Sequence, residues 1–484
     1  MKHSAIGVDF HEGTLRITGC ERGLADQLRD DIPVAMDDRD GCIRTDAMHA
    51  QRLQRWLDRQ SNITVDWQTA TQPCLKLNAR PSAMTLRSDQ QDAVGEFING
   101  GGRGLVQMPT GTGKTVVAIH LMKHFATSTL VVVPVRDLMY QWHDRIASQL
   151  GVDAGLIGDG VHRVSPISVT TYDSAAIHMP RIGDRFAMLI FDEVHHLSGP
   201  WRRDAARMST APIRLGLSAT LPTDSDRLSV LGELVGPTLY QQTIREASGQ
   251  SLAEYTVRRI TVKLSAEEQT RYDELSKQIQ GFVADQRDQD PSFRWEDTFK
   301  LAGSHDEESE VAQRADGALR ASRMKKSIEE HAASKQRVLE DLLRLHADEP
   351  VIVFTGSNVM ARKLSLRFLL PCLLSHCAKK ERREYLQGFA TGRYPALIAN
   401  RVLDEGVDLP QVKTAIVLGG MSSGRQAIQR LGRVLRRTDE GRRATLYEIV
   451  TEGTKEVMRS RDRRRNDAYR NTPRRQSRDD DHAS

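Results

Sequence analysis

The chain has 484 residues, 39% of them apolar and 27% charged, with a formal net charge of +5. That length suits about three domains of roughly 150 residues. The apolar share supports sizeable cores and excludes disorder over most of the chain, and no run approaches the roughly 18 apolar residues of a membrane span. Five cysteines (Cys20, Cys42, Cys74, Cys372, Cys377) form no C-x-x-C pair and no zinc spacing, which points to a reducing compartment. Met1–Asp9 has no apolar signal stretch, so a cytoplasmic, nucleoid-associated protein without a membrane partner is expected.

In chain order, residues 1–80 read as a small α+β domain. Its predicted elements are strands Ala5–Asp9 and Thr14–Thr18 and a helix near Thr45–Arg59, and it holds no catalytic constellation. Residues 81–250 alternate helical stretches with the β-rich apolar runs Leu105–Met108, Leu130–Val133, Ile167–Thr171, Met188–Phe191 and Ile213–Leu217. Such runs fit strands buried on both faces of a parallel sheet covered by helices. Residues 251–345 read as a linker and a charged helical insertion, with Gly303–Glu310 as an exposed loop. Residues 346–455 form a second α/β domain with strands Val351–Phe354, Ala396–Ala399, Ala415–Leu418 and Thr445–Val450. The end, 456–484, reads as a basic flexible tail. From Arg459 on it holds nine Arg against five Asp, which suits either phosphate binding or solubilisation.

The strongest local signal is Pro109-Thr110-Gly111-Thr112-Gly113-Lys114-Thr115, between the strand Leu105–Met108 and a helix from Val116. Glycines let backbone N–H groups wrap an anion, and the helix N-terminus adds its positive dipole end. Lys114 reaches β- and γ-phosphates there, and the Thr115 hydroxyl ligates Mg²⁺. Met108 stands where the full G-x-x-x-x-G-K-T pattern has its first Gly. Asp192-Glu193 ends an apolar strand 78 residues past Lys114, the strand end where open parallel sheets bind ligands. Asp192 suits Mg²⁺ held through water, and Glu193 suits polarising the attacking water. His195 and His196 follow. No Cys or His cluster supports zinc, so His195 reads as a coupling residue and His196 as surface. Farther on, Gly424–Arg437 reads as a basic helix with Gln429, Arg433 and Arg436 within about 60° of each other. That stripe suits arginine fingers on a γ-phosphate, or a solvated basic face.

Taken in order, these segments resemble a superfamily 2 helicase with two RecA-like parallel-sheet domains, a small N-terminal α+β domain and a helical insertion between the motor domains. Leu86-Arg87-Ser88-Asp89-Gln90 resembles the adenine-reading segment, with Arg87 and Gln90 on the nucleotide. P-T-G-T-G-K-T is similar to motif I. Val133–Leu138, with Arg136, resembles motif Ia, and Val169–Tyr172, with Thr171, stands where motif Ib belongs. Asp192–His195 resembles motif II. Ser218-Ala219-Thr220 is similar to motif III, with Ser218 and Thr220 relaying the state of the site. Asp404–Pro410 resembles motif V, with Gly406 coupling and Asp408 near the ribose, and Gln429–Arg436 resembles motif VI. A narrower likeness is to the XPB family, on D-E-V-H, Arg214–Thr220, Gln426–Arg436, Thr445–Val450 and Glu452-Gly453-Thr454.

The resemblance implies an ATP- and Mg²⁺-dependent, 3′-to-5′ DNA motor acting in repair. Single-stranded or forked DNA would be held mainly at its phosphates, with a nuclease or repair protein as a further partner. It also implies a damage-recognition-like N-terminal domain and a thumb within 262–335. One departure stands out. Family members carry Arg-Glu-Asp shortly after motif III, a feature tied to strand separation, whereas this chain reads Leu221-Pro222-Thr223-Asp224-Ser225-Asp226. Two rival readings therefore stay open: a duplex translocase of a nuclease or restriction system that does not unwind robustly, and a nucleic-acid-binding scaffold switched by ATP.

Overall fold

The computed structural model describes residues 4–20, 22–60, 63–69, 75, 85–248, 250–252, 255–303, 309–374, 376–400, 412–419 and 444–464. They form two compact units, the first ending at Leu252 and the second running from Tyr255 onward.

The first unit opens with a five-stranded sheet: β1 (Ser4–His11), β2 (Thr14–Thr18), β3 (Ala35–Asp37), β4 (Cys42–Asp46) and β5 (Ile63–Gln68), in the order β3-β4-β2-β1-β5. Ile6, Val8, Leu15, Ile17, Leu28 and Leu53 form its core. The predicted helix near Thr45–Arg59 begins only at Ala50. Thr45 and Asp46 are drawn into β4, where Thr14 pairs with Asp46 and Leu15 with Thr45. The small domain is fastened to the domain that follows it: Met48 is buried in that domain's core, and Arg207 clasps Asp46 at 2.9 Å.

An eight-stranded sheet fills the rest of this unit. Its strands are β6 (Arg103–Gln107), β7 (Thr129–Val133), β8 (Gly155–Gly158), β9 (Val161–Arg163), β10 (Ile167–Thr171), β11 (Met188–Asp192), β12 (Ile213–Ser218) and β13 (Thr238–Gln241), in the order β13-β6-β12-β11-β7-β10-β8-β9. Only the β8–β9 hairpin is antiparallel. β7, β10 and β11 are almost wholly buried, because helices cover both faces through two apolar cores.

The second unit carries a six-stranded parallel sheet: β14 (Tyr255–Val262), β15 (Val351–Thr355), β16 (Cys372–Leu373), β17 (Ala396–Ala399), β18 (Thr414–Leu418) and β19 (Ala444–Thr451), in the order β14-β19-β18-β15-β17-β16. β14 lies inside the segment read as linker and helices, and it pairs with β19 along its whole length. Arg258 and Arg259 mask it in the sequence, and as an edge strand it tolerates them. The helices Ala266–Gln289 and Glu310–His331 pack together around Phe282, Phe293, Ala315 and Ala318. Thr451 Oγ1, at the end of β19, donates to Glu329 O at 3.1 Å and ties the second helix to the sheet. Tyr272 donates to Glu329 at 2.8 Å, and Lys335 is wholly buried against Glu456 at 2.6 Å. No described helix is long and apolar enough to cross a membrane.

Candidate nucleotide and nucleic-acid site

β6, β12 and β11 are neighbours and run the same way, in a register that levels Gln107 with Ser218 and Asp192 with Leu217. The phosphate-type loop and Asp192-Glu193 therefore leave the same edge of the sheet, two strands or about 10 Å apart. β12 stands between them and delivers Ser218.

The loop is shaped by its glycines. Gly111 and Gly113 have φ of 90° and 87°, a left-handed conformation that side chains disfavour. A Cβ on Gly113 would lie 2.5 Å from Gln90 Nε2. Gln90 Nε2 donates to Thr112 O at 2.9 Å, Thr112 Oγ1 donates to Pro109 O at 2.7 Å, and Arg87 also donates to Thr112 O. Met108 N donates to Ser218 O at 3.0 Å, tying the loop to β12. Lys114 is the first residue of its helix, is buried, and donates to Met108 O at 3.1 Å. Thr110 Oγ1 is buried without a partner among the described residues.

This cradle fits a triphosphate. It has positive-φ glycines at the close approach, a buried ammonium with one protein acceptor among the described residues, an unused hydroxyl and a helix N-terminus. Thr115 and Asp192 are the residues present that suit the metal.

Gln90, expected on the base, also has contacts within the loop. Both ends of its amide are engaged: Nε2 on Thr112 O, and Oε1 accepting from Arg87 N at 3.2 Å in a capping box. Arg87 itself pairs with Asp89 at 3.2 Å. The pair braces the loop.

Asp192 is buried and doubly held. Its Oδ2 accepts from Trp142 Nε1 at 2.8 Å and its Oδ1 from Glu193 N at 3.0 Å. Tyr172 OH donates to Asp192 O at 2.9 Å. Glu193 sits at φ 49°, ψ 55°, a left-handed backbone that costs a non-glycine residue about 1–2 kcal/mol. Its Oε2 lies 3.5 Å from both Ser218 Oγ and His195 Nδ1. His195 Nδ1 lies 3.2 Å from Ser218 Oγ, and Ser218 Oγ donates to Thr220 O at 2.7 Å. A continuous polar chain thus runs from Glu193 through His195 and Ser218 to Thr220, whose Oγ1 is buried without a partner among the described residues.

The expected nucleic-acid residues stand farther along the same edge. Arg136 begins the helix after β7 and is exposed beside Asp159 at 2.7 Å. Tyr140 OH also donates to Asp159, at 2.8 Å, which pushes its hydroxyl above the usual tyrosine range. Thr171 ends β10 and accepts from Ser174 N at 3.3 Å, capping the helix Tyr172–Ile182. Nucleotide residues therefore follow β6, β12 and β11, and backbone-binding candidates follow β7 and β10. Gly406, Asp408, Gln429, Arg433 and Arg436 lie outside the described residues.

Trp142 and Tyr172 hold the acidic strand end, and sequence reasoning gave neither that task. Trp142 lies on the buried face of the helix Arg136–Leu150, and its bond to Asp192 spans 50 residues.

Two family matches cover the two α/β blocks: type III restriction enzyme, res subunit, over residues 83–223, and helicase conserved C-terminal domain over residues 334–438. The chain is 39% identical over 383 residues to the DNA 3′-5′ translocase XPB2 of Sulfurisphaera tokodaii, covering 78% of this chain and 84% of that protein.

This chain belongs to the XPB family. The DNA 3′-5′ helicase XPB of Kineococcus radiotolerans is 28% identical over 383 residues, which cover 77% of this chain and 60% of that protein. The XPB/SSL2 subunit of Saccharomyces cerevisiae general transcription and DNA repair factor IIH is 22% identical over 417 residues, which cover 80% of this chain and 44% of that protein. A crystal structure of the Pyrococcus furiosus Hef helicase domain shares the fold at 15% identity and TM-score 0.54, over 79% of this chain and all of that one. The S. cerevisiae Dbp5 structure with RNA and ADP BeF3 does so at the same identity and score, over 88% of its chain. Both α/β blocks are RecA-like, and as an XPB-family member the chain is an ATP-hydrolysing enzyme of the helicase class.

Proposed function

We propose that this chain is an ATP-driven DNA motor that moves 3′ to 5′ and serves DNA repair in the cytoplasm, at the nucleoid. The observation that carries the reading is the shared edge of β6, β12 and β11, where a phosphate cradle and a carboxylate pair are joined by a polar relay. Bound Mg²⁺–ATP supplies the phosphoanhydride to be cleaved and a metal that neutralises its charge, with Thr115 and Asp192 as the holding residues. Lys114 exchanges Met108 O for phosphate oxygens. Glu193 orients a water and accepts its proton, and its exchange between that water and the His195–Ser218 pair reports the state of the site to Thr220. Asp408 is assigned to the ribose. Gln429, Arg433 and Arg436 are assigned to the γ-phosphate from the second RecA-like domain, with Gly406 coupling. Arg136 and Thr171 take DNA phosphates, in contacts that are sequence-tolerant and salt-sensitive. The 1–80 domain is assigned to recognising damaged DNA, the thumb within 251–345 to gripping DNA, and the tail to phosphates or to a nuclease or repair partner.

A second reading has its own observation. Asp224 stands within the stretch that replaces Arg-Glu-Asp and caps the helix Ser225–Leu234 by accepting from Arg227 N at 2.9 Å. No acidic-basic triplet is left for strand separation, which favours translocation on duplex DNA without robust unwinding. ATPase rates with single-stranded DNA, duplex DNA and RNA test the motor reading. Strand displacement beside triplex displacement separates the two modes. DNA-stimulated turnover is expected, with triplex displacement exceeding strand displacement if the second reading holds. Turnover indifferent to all three nucleic acids would overturn both.

A further inference from the structure

A cavity of about 520 Å³ opens in the second unit, walled by the end of the helix Ala333–Leu345 and the end of the helix Asn358–Phe368. Val351 and Ala396, the first residues of β15 and β17, form part of its floor. The strands of this sheet run parallel, so the cavity lies at their starting edge, opposite the edge where such sheets bind nucleotide. It belongs to no element of the ATP or DNA reading.

Its chemistry is mixed in a specific way. Leu343, Phe368 and Leu370 make an apolar lining, while Arg344 and Arg367 stand on the rim. Both guanidiniums lean on one carboxylate, Glu340, at 2.6 and 3.2 Å, which leaves this trio with a net positive charge. Surface pairs of this kind contribute little, so an incoming carboxylate redirects either arginine at small cost. The same two chain segments hold out Leu345 (69% exposed), Leu366 (78%) and Leu369 (89%). Leu369 does so from a left-handed backbone with φ 53°, a conformation that disfavours a leucine. Exposed leucines beside an apolar cavity mark a surface built to be covered.

We propose that this face docks a partner protein through an acidic-apolar segment, one bulky apolar side chain entering the cavity and a nearby Asp or Glu meeting Arg344 and Arg367. Nucleic acid is a poor occupant, because phosphates gain nothing from an apolar lining and three exposed leucines. The chain's own tail from Arg459 carries the same sign as the rim, nine Arg against five Asp.

The test pans a random dodecapeptide display library on the full chain and measures binding of the enriched peptides by fluorescence anisotropy. Enriched sequences should pair an aromatic or large aliphatic residue with Asp or Glu within one helical turn. Affinity should fall about tenfold or more for Ala347→Trp, which fills the cavity from an exposed wall position, and for Arg344→Glu/Arg367→Glu. DNA-stimulated ATPase should stay unchanged in Ala347→Trp, which separates this proposal from the motor reading. The proposal is overturned if enriched peptides lack that signature or bind Ala347→Trp as tightly. It is equally overturned if duplex DNA binding, rather than peptide binding, drops in the charge-reversed variant.

Discussion

Replacing Trp142 by Phe removes one hydrogen bond from the acidic strand end and little else. The indole is buried and donates to Asp192 Oδ2 at 2.8 Å, while the Glu193 amide holds the other oxygen at 3.0 Å. A hydrogen bond to an ionised group contributes about 1.5–3 kcal/mol, and the smaller ring leaves a void that costs ~1 kcal/mol more. Urea unfolding should therefore show a loss of about 2.5–4 kcal/mol. The functional effect is separable, because outer-shell groups that orient a metal-holding carboxylate contribute about 10–100-fold in metal affinity. The Mg²⁺ concentration giving half-maximal ATPase should rise about tenfold or more, while metal-free ADP binding stays as in the wild type. Lost stability with an unmoved Mg²⁺ dependence would show that the indole only packs, and would refute the orienting role.

Gly113→Ala places a methyl 2.5 Å from Gln90 Nε2 on a backbone with φ 87°. It should displace the amide that braces Thr112, and titration with a fluorescent ATP analogue should show affinity reduced about tenfold or more. Lys335→Met leaves Glu456 buried without its cation and should cost about 3–5 kcal/mol in chemical denaturation; a loss below 1 kcal/mol would contradict the pairing. Burial pushes the imidazoles of His49, His120, His178 and His331 below the usual histidine range. The unfolded chain then takes up protons near pH 6.5 that the folded chain does not, so stability should decline as pH falls below about 6.5. A melting temperature that holds constant or rises over that range would count against it.

The parallel strands were legible where apolar, β-branched runs are buried on both faces. Ile167–Thr171 and Ala396–Ala399 match β10 and β17 end for end. Edge strands escaped: β13 is four residues long and only half-buried at its centre, and β14 carries two arginines mid-strand, so neither shows a buried pattern. The site was legible where its parts are contiguous loops after strands, as with Pro109–Thr115 and Asp192–His195. Trp142 and Tyr172 were not, because their partners come from strands and helices brought together only by the sheet order. Gln90 illustrates a different limit. Its place in the segment was readable, but its bond to Thr112 O exists only once the loop closes over it.

In the proposed motor, one ATP site is fuelled through Lys114 and answers to DNA. Steady-state ATPase of the wild type and Lys114→Ala, each with and without DNA, tests it most directly when DNA affinity is measured alongside. DNA should accelerate the wild type, and the variant should hydrolyse no ATP above background while binding DNA as before. DNA-stimulated hydrolysis persisting in Lys114→Ala would contradict the account.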